Sequence, residues 1–90
     1  MIISFTNKGL AELFKKGSTA KIGANFIDKC ITILTLLDAA ESLDDLKIQA
    51  YRFHALSTET VRYSMRVNKN YRITFEWDDG AVKVDFEDYH

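Results

Sequence analysis

Cysteine occurs once in this chain, at Cys30, so no disulfide closes within it and no Cys-x-x-Cys pair is available for a metal. That usage fits a reducing, cytoplasmic setting. The physical default for a lone Cys30 is a small apolar residue on a buried helix face. Long hydrophobic runs are missing too. The most apolar stretch, Ile31 to Ala40, is broken by Thr32, Thr35 and Asp38 and is too short to cross a bilayer. Ser4 and Asn7 arrive before an apolar run can build, so no secretory leader is expected. Nor is one sign of charge in excess: 12 Lys and Arg against 13 Asp and Glu leave a net charge of -1, which provides no global attraction to nucleic acid. Proline is absent, which by itself says nothing about function, and neither repeats, low-complexity tracts nor linkers occur.

What remains is an ordinary globular composition, 47% hydrophobic and 28% charged, in a chain with room for one core. A single domain spanning residues 1–90 is expected. Its clearest pattern runs from Val61 to the end. Val61, Tyr63, Met65 and Val67 alternate with Arg62, Ser64, Arg66 and Asn68. Tyr71, Ile73, Phe75 and Trp77 alternate with Arg72, Thr74 and Glu76, and Val82, Val84 and Phe86 with Lys83, Asp85 and Glu87. A period of two in β-branched and aromatic residues marks half-buried strands. Three in succession, joined through Asn68-Lys69-Asn70 and Asp78-Asp79-Gly80, make an antiparallel meander with one face in a core. Asp-Gly predicts a type I′ hairpin turn.

Upstream, Ile2 to Phe5 reads as an edge strand pairing with this sheet. Asn7 is placed to cap a helix whose apolar side is Leu10, Leu13 and Phe14, with Gly17 ending it. Ser18 and Thr19 are candidate caps for a second, longer helix carrying Ile22, Phe26, Cys30, Ile33, Leu34 and Leu37 on one stripe. The two helices are expected to lie across the sheet's apolar face. Ser42 to Leu46, with Asp44 and Asp45, reads as a solvated turn, since nothing nearby completes a metal ligand set. Tyr51 to Leu56 reads as a further strand, with Tyr51, Phe53 and Ala55 inward and Arg52 and His54 outward. Ser57 to Thr60 is a polar loop.

The cations are segregated. Six of the eight lysines precede residue 50, whereas Arg52, Arg62, Arg66 and Arg72 all lie in the strand region and share the side opposite the core. Any exposed face collects charge, but arginine's planar fork is the one suited to phosphate. The same face carries His54, and the chain closes on Asp88, Tyr89 and His90. These two histidines are the only ones present. A histidine pair can divide base and acid work in cleaving RNA: one takes the proton of a 2′-hydroxyl that attacks phosphorus, the other protonates the departing 5′-oxygen. A fixed cation between them stabilises the phosphoryl oxygens, and Arg72 is the best placed. The plainer reading leaves His54 a surface histidine and His90 a frayed terminal residue.

Several stretches together carry a resemblance. They are Met1-Ile2-Ile3-Ser4-Phe5, Lys8-Gly9-Leu10, Leu13-Phe14 and Gly17, then Leu37-Asp38-Ala39-Ala40, Asp45-Leu46 and Tyr51-Arg52-Phe53-His54-Ala55-Leu56. With Ser64-Met65-Arg66-Val67-Asn68, Tyr71-Arg72-Ile73-Thr74-Phe75 and Glu87-Asp88-Tyr89-His90, the whole chain resembles the HigB toxins, a branch of the RelE superfamily. It implies an α+β RelE-like fold: two N-terminal helices packed on one face of a mostly antiparallel four- to five-stranded sheet. It also implies the toxin of a type II toxin–antitoxin system, an endoribonuclease that cuts translated mRNA in the ribosomal A site without a metal or other cofactor. The implied partners are the ribosome, its mRNA and a helix-turn-helix antitoxin of the HigA kind. Operator DNA would be reached only through that antitoxin, and no membrane is involved.

Carried over by position, the catalytic residues would be His54, Arg72, Asp88, Tyr89 and His90. His54 and His90 would transfer protons, in an order the sequence leaves open, with Tyr89 a substitute or a base-stacking partner. Arg72 would hold the scissile phosphate, Asp88 would orient its neighbours, and Arg52, Arg62 and Arg66 would meet RNA or ribosome. Two departures stand out. Many members have a lysine three residues after the histidine, where this chain has Ser57 in an acidic, shorter loop, and members are usually basic where this chain is slightly acidic. Fewer cations weaken docking on RNA, so a slower toxin is expected. The alternative is a toxin relative whose catalysis has decayed, acting as an antitoxin-binding co-repressor or decoy.

Overall fold

A computed structural model describes residues 1–48, 51–56 and 62–88. Among these lie two α-helices, α1 (Lys8–Lys16) and α2 (Ile27–Ala39), and four strands, β1 (His54–Ala55), β2 (Arg62–Arg66), β3 (Tyr71–Trp77) and β4 (Ala81–Asp88). The strands form one antiparallel sheet in chain order. The expected α+β arrangement is the one observed.

Helix α1 starts and stops where its sequence directs. Asn7 accepts the Leu10 amide on its side-chain oxygen at 2.9 Å, satisfying one of the orphan amides of the first turn. Gly17 takes the left-handed conformation (φ 79°) that lets its amide close back on the Leu13 carbonyl at 2.8 Å. Lys15 and Lys16 in the last turn oppose the helix dipole favourably.

Helix α2 differs from expectation. It begins at Ile27, after a single 3-10 turn at Ala24–Phe26, instead of near Ser18. Thr19 turns its hydroxyl to the Lys21 amide, and Gly23 is extended (ψ 138°). Both favour local turns over helix. Ile22 is nonetheless buried, and Cys30, Ile33, Leu34 and Leu37 form the expected buried stripe. The Met1 ammonium donates to the Leu37 and Ala40 carbonyls, occupying acceptors that the helix end leaves open.

The core lies between the helices and one face of the sheet. Leu10, Leu13, Ile33, Leu34 and Leu37 meet Met65, Ile73, Phe75 and Val84, all essentially inaccessible to solvent. The Ile2 to Phe5 segment does join the sheet, but through two isolated parallel bridges, Ile2 to Ala81 and Phe5 to Val84, and not as a regular strand. The reason is a bulge in β4. Thr74 pairs with Asp85 while Glu76 pairs with Val82, so Lys83 and Val84 together oppose Phe75, and Lys83 takes a positive φ of 53°.

The bulge reverses parity in the residues of β4 that precede it. Val82 therefore stands beside Glu76 on the polar face, not inward as alternation predicts, and Ala81 takes the buried place. The β3–β4 connection is likewise a three-residue loop, Asp78 to Gly80, since Trp77 pairs with Ala81; this corrects the two-residue type I′ turn. Here Asp79 adopts a left-handed φ of 59°. Gly80 serves close approach: a Cβ there would lie 2.8 Å from Ile3 Cδ1 and 2.9 Å from the Met1 carbonyl.

The expected strand from Tyr51 to Leu56 shrinks to His54–Ala55. Tyr51 closes a turn onto the Ile48 carbonyl, and Arg52 is left-handed (φ 47°), so the chain extends only afterwards. Tyr51 receives Lys29 over its ring at 4.8 Å, while Ala55 is exposed instead of inward.

Candidate functional site

Register arranges the polar face in rows. His54, Ser64, Thr74 and Asp85 stand across one another, and Arg66, Arg72 and Glu87 form the adjacent row. Around the β1 end of these rows lies a cleft of about 370 Å³, lined by Arg52, Phe53, His54, Ser64, Arg66 and Arg72. It adjoins a larger depression of about 720 Å³ lined by Lys47, Ile48, Arg52 and Phe53. Three arginines and a histidine thus converge from three separate chain segments.

Each is placed by local structure. The left-handed turn at Arg52 turns the chain into β1, which carries His54 opposite Ser64. Arg66 donates through Nε to the Asn68 carbonyl at 3.1 Å. That hairpin is in turn closed by the Asn68 side chain, which accepts the Asn70 and Tyr71 amides at 2.8 Å. Arg72 sits mid-sheet, directly opposite Arg66. Two like charges across a pair of strands are unfavourable, and they become useful when an anion lies between them. Phe53, expected in the core, stacks on Tyr63 with centroids 5.4 Å apart and forms a wall of the cleft.

Not every candidate joins the cleft. Arg62 reaches across the sheet: its terminal nitrogen donates to the Thr74 hydroxyl at 3.0 Å and pairs with Glu87 Oε2 at 2.6 Å. Thr74 donates to the same carboxylate oxygen. Thr74 is fully buried and Ser64 nearly so, although alternation placed both on the open side. Asp88 pairs with Tyr71, so its register assigns it to the opposite face from Arg72, at the exposed end of β4. Tyr89 and His90 lie outside the described residues, as do Val61 and the Ser57 to Thr60 loop. Lys47, Phe53, Ser64 and Glu87 complete the surroundings and were not singled out from the sequence. For Glu87 the signal was present, since it shares the outward parity of Arg72.

Other polar groups have structural work. Asp45 accepts the Glu41 and Ser42 amides in a capping box, and Asp44 pairs with Lys47 at 2.8 Å, as the solvated-turn reading expects. Cys30 is buried, which pushes its thiol up to about 11. Among the described residues, no three acidic, histidine or cysteine side chains cluster as metal ligands would. No described helix is long and apolar enough to cross a membrane.

Two helices on a four-stranded antiparallel sheet make an α+β fold of the RelE-like kind, and residues 3–90 match the model of the HigB-like toxins. The chain belongs to that family, the RelE-like toxins (HigB) of type II toxin–antitoxin systems. It is 39% identical to the protein named endoribonuclease HigB of Proteus vulgaris, over the full length of both chains. It is also 31% identical to toxin HigB-1 of Vibrio cholerae serotype O1, over all of this chain and 98% of that one.

Proposed function

We propose that this toxin is an endoribonuclease that cuts translated mRNA in the ribosomal A site. The observation that carries the reading is the cleft joining His54 to Arg52, Arg66 and Arg72. Full-length similarity to a protein named as an endoribonuclease supports it. Arg66 and Arg72, opposed across the hairpin, offer two planar forks to one phosphate, and Arg52 flanks it.

The chemistry needs no metal in this scheme. A base removes the proton of a 2′-hydroxyl, the O2′–P bond forms, the P–O5′ bond breaks, and an acid protonates the leaving oxygen. The products are a 2′,3′-cyclic phosphate and a 5′-hydroxyl. His54 and His90 share the two proton transfers, with Tyr89 as substitute or stacking partner. Arg72 stabilises the charge that develops on the phosphoryl oxygens, and Asp88 orients the chain end that carries Tyr89 and His90. The ribosome presents the message, because a cleft of this size grips little more than one nucleotide. A HigA-like helix-turn-helix antitoxin holds the toxin in check.

The test is cleavage of a defined message on programmed ribosomes, mapped by primer extension. Cuts within the A-site codon are expected, falling at least about tenfold in Arg72→Ala and in a form ending at Tyr89, which corresponds to about 1.4 kcal/mol of barrier. A single 2′-deoxy nucleotide at the cut position should abolish them. Antitoxin binding without cleavage of any message would replace this reading with that of a decayed toxin acting as co-repressor or decoy.

A further inference from the structure

A diagonal of three side chains crosses the polar face beside the cleft. Arg62 starts on β2 in the row of Glu76 and Val82. Its guanidinium passes over Thr74 to end on Glu87, on the far strand and two rows away. Both Arg62 and Thr74 donate to one oxygen of Glu87, so a long, flexible acid is held at one point. The residue that carries it pairs with Arg72 across β3–β4, so the two side chains share a face, and the Arg72 charge acts on the Glu87 carboxylate without a direct contact between them. Arg72 therefore stands between a like charge, Arg66 on β2, and an opposite charge, Glu87 on β4. An arginine beside a second arginine tends to swing away from it in an empty site. A fixed counter-charge on its other flank removes that freedom before substrate arrives, which is what preorganisation requires.

We propose that Glu87 is a positioning residue of the cleft: braced by Arg62 and Thr74, its carboxylate holds the Arg72 guanidinium in the orientation that meets the scissile phosphate. The proposal rests on the ribonuclease reading of the cleft and deepens it. It assigns Arg62 to the support of the site, in place of direct contact with RNA. Burial works against a charged Glu87, but the Thr74 and Arg62 hydrogen bonds and the charges of Arg62 and Arg72 outweigh it, so the carboxylate is charged as this role needs.

The experiment compares parent, Glu87→Gln, Arg72→Ala and the double variant on programmed ribosomes, with kcat and KM read separately. Glu87→Gln is expected to lower kcat at least about tenfold with KM changed less than about twofold, since it disturbs geometry and not gross binding. In the Arg72→Ala background the same substitution should change kcat less than about twofold, because an effect exerted through Arg72 disappears with it. Arg62→Met, which removes one brace and leaves the acid, should fall in the same direction and be equally silent without Arg72. If Arg72→Ala cuts like the parent, the ribonuclease reading of the cleft fails. If Arg72→Ala is inactive while Glu87→Gln retains or gains activity, only the positioning role fails. A readout on the free protein stands apart from activity and from the ribosome. By NMR, the 15N order parameter of the Arg72 Nε–H should fall clearly in Glu87→Gln as the guanidinium loses its fixed orientation, and an unchanged value overturns the proposal.

Discussion

Glu87 also makes the fold sensitive to acid. Desolvation raises its carboxyl and the hydrogen bonds from Thr74 and Arg62 lower it, with the net result below the ordinary value of 4.5. A depressed folded value means that the stabilisation is present above the unfolded value and is lost as pH falls through the folded one. Glu87→Gln should therefore melt below the parent at neutral pH, with the gap closing once pH drops beneath 4.5. A gap that stays constant through that range would show that the charge contributes nothing. Cys30 gives a simpler expectation. Burial removes both access and thiolate, so iodoacetamide should modify native protein at least about a hundredfold slower than unfolded protein; equal rates would contradict its placement. Single residues were legible where parity decides the outcome, as for His54, Arg66 and Arg72, whereas Arg52 reaches the same cleft from a left-handed turn outside any strand. Parity does not report reach. Arg62 alternates outward as expected and then spans two strands to Glu87, a choice set by partners that no local pattern names.

Elements were read well where their signals are local. The Asn7 cap and the Gly17 terminator are one-residue signals, and α1 obeys both. Asn7→Ala should accordingly cost about 1 kcal/mol in denaturant unfolding, the usual loss on removing a cap, and a change near zero would show that packing alone sets the start of α1. Three other elements were misjudged for reasons that share one cause. The second helix was started too early because Ile22 and Phe26 fit its stripe, whereas they are packed from a turn. The strand before β2 was drawn too long because Arg52 takes a left-handed backbone. Val82 was turned inward because one residue of bulge at Lys83 reverses the positions that precede it in β4, while Val84 and Phe86 beyond it keep the expected side. In each case tertiary packing overrode a periodic pattern over a few residues. Gly80 measures how strongly the parallel bridges depend on close approach. Gly80→Ala pushes a Cβ against Ile3 and the Met1 carbonyl, and should cost roughly 1–3 kcal/mol while releasing the Ile3 and Ala81 amides to hydrogen exchange. Retained protection would show that the loop shifts freely.

At the scale of the molecule, topology followed from connection length: short turns join β2 to β3 and β3 to β4, and such turns permit only antiparallel neighbours. The parallel attachment of the N-terminal segment to β4 was less legible, because its partner is some eighty residues away in sequence. The segregation of lysine from arginine acquires a physical meaning in this layering. Lys15 and Lys16 project from α1 on the helical side, while Arg52, Arg66 and Arg72 line the cleft on the opposite face of the sheet. Net charge near zero therefore conceals a local cationic site, with Arg62 balanced by Glu87 and withdrawn from it. Counterion release turns this into a number. The three arginines gather on one phosphate, so single-stranded RNA should give a slope of about -0.7 in the logarithm of affinity against the logarithm of salt, the value for one phosphate neutralised. Titration of a short 2′-deoxy-blocked oligonucleotide into free protein at several salt concentrations measures it. Arg66→Ala should weaken binding and flatten the slope, whereas Lys15→Gln with Lys16→Gln should leave both unchanged despite removing two charges instead of one. A slope that follows the lysines would move the RNA to the helical face and leave the arginine cleft without a substrate.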